Sequence, residues 1–135
     1  MQRTSNHLRW RAEPHELLAM RTTLRGWLTE IGLDSYTEDT LVTAANEAAT
    51  NAVEHAYRSP LASVDDQTFE VALESRPGSL CLEISDRGTW REPSSVDEGR
   101  GLGIPLMHQL IDSVTIDKDD RGTRVVLRHR LADGS

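Results

Sequence analysis

Glu47, Asn51 and His55 stand four residues apart within EAATNAVEHAY, so on a helix their side chains leave successive turns of one face and can converge on one ligand. A carboxylate, an amide and an imidazole in line offer a proton acceptor, a neutral oxygen for a hard cation and a second titratable group. The spacing alone fits an ordinary solvated helix margin more readily than a site. Asp86 opens DRGTW directly after the apolar run LCLEIS, where Gly88 lets the backbone pass close to a small molecule that the carboxylate addresses. A plain turn with local bonds to Asp86 fits the same letters. In GRGLG, Gly99, Gly101 and Gly103 flank Arg100 and Leu102 and lead into an apolar-periodic stretch, an arrangement of N–H groups and helix start that suits an anion such as phosphate. A flexible hinge is the alternative there, and the segment is neither a P-loop nor a dinucleotide fingerprint. Gly122 and Thr123 begin the last alternating run, which a hairpin turn explains without function.

The elements that must position these residues follow from periodicity. Residues 1–13, with Leu8 and Trp10 between polar neighbours, form a strand or arm. Pro14 suits a first helical turn, and Leu17, Leu24, Trp27, Leu28 and Ile31 recur at helical spacing up to Gly32, which predicts a helix over 14–31. Ser35 and Glu38 have capping-box spacing. Leu41, Ala45, Ala48, Ala52 and Ala56 then make a narrow small-residue stripe on a second helix, about 36–57. The Glu47 line lies about a quarter turn from that stripe, at the border of the core. After the loop SPLASVDDQ, Phe69, Val71 and Leu73, the turn RPGS, and Leu80, Leu82 and Ile84 predict an antiparallel hairpin. Residues 86–103 lose all periodicity and are rich in glycine and proline, too long for an idle connection. Leu102, Leu106, Leu110 and Ile111 mark a short helix, Val114 and Ile116 a strand, DDRG a turn, Val125 and Leu127 the return strand, and residues 131–135 a frayed tail. The expected fold is α+β: a two-layer sandwich whose mostly antiparallel sheet is covered on one face by three helices.

A length of 135 residues suits a single domain, 1–135. Fifteen Lys and Arg against 22 Asp and Glu give a net charge of −7, and no basic run supplies the surface that backbone binding of nucleic acid needs. One cysteine, Cys81, excludes an intrachain disulfide and cysteine-pair zinc sites and points to a reducing cytoplasm. No apolar run is long enough for a membrane helix and the polar start has no signal-peptide core, so neither membrane nor secretion is expected.

Taken together and in this order, the four motifs resemble the N, G1, G2 and final Gly-Thr boxes of the GHKL (Bergerat-fold) ATP-binding superfamily over residues 37–128. The short length, the N-terminal helix and GRGLGIPLM look most like the bacterial anti-sigma factor serine kinases. That resemblance implies Mg²⁺ and ATP as cofactors, a sigma factor held inactive, and phosphorylation of a serine on a STAS-type anti-sigma factor antagonist. It implies Glu47 as the general base, Asn51 as the Mg²⁺ ligand, and Asp86 as acceptor for the adenine amino group, with Gly88 keeping the base pocket open and Thr123 supporting the adenine. Gly99, Arg100, Gly101, Leu102 and Gly103 would face the phosphates, at the end of a lid over 87–101. His55 continues the N box and either touches the phosphates or buttresses the helix. Dimerisation is expected from the same resemblance. Trp90 departs from the pattern, standing where the family commonly has a second glycine. A non-catalytic interaction module of the same fold is the alternative. A sensor histidine kinase or gyrase-like ATPase would need a phosphoacceptor helix pair or transducer domain, for which 135 residues leave no room.

Overall fold

A computed structural model describes residues 4–58, 67–86, 111–119 and 122–131; for 55–58 and 118–119 it describes the backbone alone. The elements are β1 (Thr4–Arg11), α1 (Glu16–Ile31), α2 (Ser35–Arg58), β2 (Thr68–Arg76), β3 (Ser79–Asp86), β4 (Ser113–Asp119) and β5 (Gly122–Arg130). The strands form one sheet in the order β1-β2-β3-β5-β4, every neighbouring pair antiparallel. Both helices pack on one face of it, α2 over β2 and β3, and α1 against α2 and β1. This is the expected α+β sandwich. The third helix expected near 102–111 and the lid over 87–101 lie outside the described residues, except that Ile111 is buried in the core.

Helix α1 starts at Glu16, two residues later than the spacing predicts, with His15 at the cap and Pro14 just before it, the Pro14 carbonyl accepting the Leu17 N–H at 3.2 Å; it ends at Gly32, φ 92° and ψ 29°. In that left-handed conformation the Gly32 N–H reaches the carbonyls of Leu28 and Thr29, satisfying acceptors that a helix end otherwise leaves open. Met20, Leu24 and Leu28 are fully buried, while Leu17, Trp27 and Ile31 flank them, partly buried. Each fully buried side chain of this kind contributes about 1.5 to 3 kcal/mol.

The cap of α2 differs from expectation. The helix begins at Ser35, so Ser35 lies inside it and Asp34 takes the cap position, its carboxylate accepting from the Thr37 N–H at 3.4 Å. Glu38 turns to α1 instead, accepting from Thr29 Oγ1 at 3.3 Å. The buried face of α2 is also wider than an alanine stripe: Val42, Ala44, Ala49 and Val53 join Leu41, Ala45, Ala48 and Ala52. Small side chains let the helix approach the sheet closely, and contact with α1 on one side and the sheet on the other closes both flanks.

In the β2–β3 hairpin, Pro77 and Gly78 (φ 83°) form a tight turn that sets the register Arg76↔Ser79 through Phe69↔Asp86. That register puts Phe69, Val71, Leu73, Leu80, Leu82 and Ile84 on the helix-facing side, all buried. Leu131 is not part of a frayed tail: it is buried and its N–H donates to the Gly78 carbonyl at 3.0 Å, because β5 runs on past the hairpin turn. Among the described residues no helix is long and apolar enough to cross a membrane.

Candidate functional site

Two of the four motifs, 37 residues apart in sequence, meet in the sheet. Asp86, the last residue of β3, stands directly opposite Thr123 on β5. Side chains alternate along a strand, so Asp86 shares the helix-facing side with Leu80, Leu82 and Ile84, and Thr123 shares it with Val125 and Leu127. The row through them reads Trp10, Phe69, Asp86, Thr123, Lys118 from one edge of the sheet to the other. Phe69 is fully buried and stacks on Trp10, with ring centroids 5.7 Å apart. The sheet thus ends in an apolar floor that carries one carboxylate and one hydroxyl side by side.

The hydroxyl is the informative group. Thr123 is only 5% exposed, and its Oγ1 is buried with no hydrogen-bond partner among the described residues. Buried polar groups are nearly always satisfied, and an orphan costs about 1 to 3 kcal/mol. A flat heteroaromatic ligand with donors and acceptors along its edge fits both the apolar floor and the pair of polar groups.

Glu47 and Asn51 lie one turn apart on α2 and both are half-buried, at the border of the core as the spacing predicts. Asn46, next in sequence to Glu47, is held instead by Arg21 of α1, whose Nη1 donates to Asn46 Oδ1 at 2.9 Å. Farther along the same seam Arg25 meets Asp39 at 2.7 Å. These bonds tie α2 to α1 along the seam beside the Glu47 line. Sequence reading missed Arg21, Asn46 and the Phe69 floor, because their roles depend on helix packing and strand register. His55 falls on the helix, but its side chain lies outside the description, as do Gly88, Gly99, Arg100, Gly101, Leu102 and Gly103 altogether.

Known proteins resemble the chain over most of its length. The family model described as the histidine kinase-like ATPase domain matches residues 10–129. A serine-protein kinase RsbW of Bacillus licheniformis is 28% identical over 100% of this chain and 95% of its own length. Another protein of that name, from Staphylococcus epidermidis, is 30% identical over 96% of this chain and 90% of its own. The crystal structure of the RsbU and RsbW domains of a Mycobacterium tuberculosis protein superposes with a TM-score of 0.76 at 28% identity, over 95% of this chain. The chain spans 32% of that longer one. With a match that runs from β1 into β5 and relatives alike over nearly their whole length, this chain belongs to the histidine kinase-like ATPase family, and it is similar there to the RsbW serine-protein kinases.

Proposed function

We propose that the chain is an ATP-dependent protein serine kinase that sequesters a sigma factor and phosphorylates a STAS-type antagonist of that sequestration. The observation that supports this reading is the buried Thr123 hydroxyl, without a partner among the described residues, directly across the sheet from Asp86. In this reading Asp86 accepts from the adenine amino group, Thr123 Oγ1 completes the contact with the base, and Phe69 flanks Asp86 on its other side. Gly88 keeps the pocket open, while Gly99, Arg100, Gly101, Leu102 and Gly103 face the phosphates. His55 stands at the continuation of the same helix face.

Asn51 offers an amide oxygen, a donor that a hard cation accepts, and is the residue that would hold Mg²⁺. When bound, Mg²⁺ neutralises phosphate charge. Glu47, one turn earlier, takes the proton of the incoming serine hydroxyl. The serine oxygen forms the new bond to the γ-phosphorus, the bond to the bridging oxygen breaks, and ADP leaves. Phosphoryl transfer depends mainly on positioning and electrostatics, so one base, one metal ligand and a set of N–H donors suffice.

The test is transfer of labelled phosphate from ATP to an antagonist of the same genome. Glu47→Gln keeps the shape and removes the base, so transfer should slow by roughly 10²- to 10⁴-fold with ATP affinity little changed. Asn51→Ala should weaken Mg-ATP binding as well. Wild-type transfer by Glu47→Gln removes Glu47 from the base role. Absence of any transfer by the wild-type protein, with partner binding intact, favours an interaction module of the same fold.

A further inference from the structure

The geometry points to the outer edge of β1 as a docking site for an extended acidic segment of another protein, which adds to the sheet as a sixth strand. This surface is independent of the nucleotide reading. Strand β1 is outermost in the sheet, and among the described residues nothing pairs with its far side. Its pairing with β2 runs from Thr4↔Ser75 to Arg11↔Thr68 without a skipped residue, so it has no bulge, and it contains no proline. Long regular edges of this kind normally carry a device that blocks pairing. Among the described residues the only such device is charge, and the charge on β1 has one sign.

The first twelve residues hold Arg3, Arg9 and Arg11 and no acid, in a chain whose net charge is −7. On the sheet face turned away from the helices, His7, Arg9 and Arg11 follow one another along β1, all exposed. Glu70 of β2 engages two of them, accepting from Arg9 Nε at 2.7 Å and lying 3.2 Å from His7 Nε2. One carboxylate therefore serves two basic groups, and Arg11 lies beyond it. Like charges would meet if a second copy added edge to edge in this stretch, whereas an acidic strand finds its counter-charges already in place.

The other row of β1 supplies the apolar half. Leu8 points to the helix-facing side opposite Val71, yet it is 45% exposed while Val71 is fully buried. A strand laid along β1 would cover Leu8 with one row of side chains and present the other row to Arg9 and Arg11. The fitting segment alternates carboxylates with apolar residues; main-chain hydrogen bonds give affinity and the alternating rows give selectivity.

The probe is a nine-residue capped peptide alternating glutamate and valine, with its lysine–valine counterpart as control, added to the full chain at low salt. The glutamate peptide should bind roughly tenfold more tightly than the lysine peptide, the size expected of a few exposed charge pairs. Salt should narrow the difference, and hydrogen exchange should show new protection at the β1 amides. Arg11→Glu, at an exposed position, should leave the melting temperature unchanged and erase the preference. Three results overturn the assignment: equal binding of the two peptides, protection appearing away from β1, or β1 amides already protected by self-association before peptide is added. The last of these gives the edge to a second copy.

Discussion

At the residue scale, the chemistry of Thr123 sets up a two-sided test. A buried hydroxyl with no partner among the described residues destabilises the empty protein, and valine has nearly the same shape without the oxygen. Thr123→Val should therefore raise unfolding free energy by about 1 kcal/mol in urea melts, while calorimetry shows weaker ATP binding. A variant that is more stable and binds ATP as before would separate Thr123 from the base. The candidate residues Glu47, Asn51, Asp86 and Thr123 can all be picked out from motif and spacing. What is not legible is that Asp86 stands between Phe69 and Thr123 in one row across the sheet, because that depends on β5 entering the sheet beside β3.

At the element scale, local rules fix boundaries and long-range pairing fixes the rest. Gly32 illustrates the first. Nothing lies within 4 Å of the position a Cβ would take, so space is not the constraint; the φ of 92° is. Gly32→Ala should cost about 1 to 2 kcal/mol, read as a lower urea midpoint at unchanged slope. The edge pairing of β1 with β2 illustrates the second. Burial pushes the Glu70 carboxyl up, but hydrogen bonds from Arg9 and His7 and the charges behind them pull it down further, leaving it below its ordinary value near 4.5. A carboxyl lowered by folding stabilises the protein above its unfolded value and ceases to do so as pH falls through its folded one. Urea midpoints should thus decline below about pH 4.5, and Glu70→Gln should flatten that decline. The hairpin of β2 and β3 was readable from alternation and a Pro-Gly turn. The cap of α2 was misread by one residue because Asp34 and Ser35 are both good caps, and only the helix start decides between them. The strand order was beyond reach, since β5 inserts between β3 and β4 and no local signal encodes it.

At the scale of the whole molecule, one buried cluster joins α1, α2, β2, β3 and β5, from Met20 and Leu24 through Ala45 and Val53 to Leu73, Leu82 and Leu127. Elements that share a core unfold together, so a ligand held at the end of the sheet stabilises the entire unit and not only its own contacts. ATP with Mg²⁺ at about 100 times its dissociation constant should add roughly 2.7 kcal/mol. For a domain of this size that is a rise in melting temperature of roughly 5 to 15 °C. Asp86→Ala removes the acceptor proposed for the adenine, so a loss of about 1 to 3 kcal/mol in binding should take away roughly a third to nine-tenths of the rise at the same nucleotide concentration. GTP, which presents a carbonyl where adenine presents an amino group, should give little rise in the wild-type protein because it would face the Asp86 carboxylate with like polarity. Differential scanning fluorimetry over a nucleotide series reads all three outcomes on one axis. An equal rise with ATP in the wild type and in Asp86→Ala would move the nucleotide away from the end of β3, whatever phosphotransfer the protein performs.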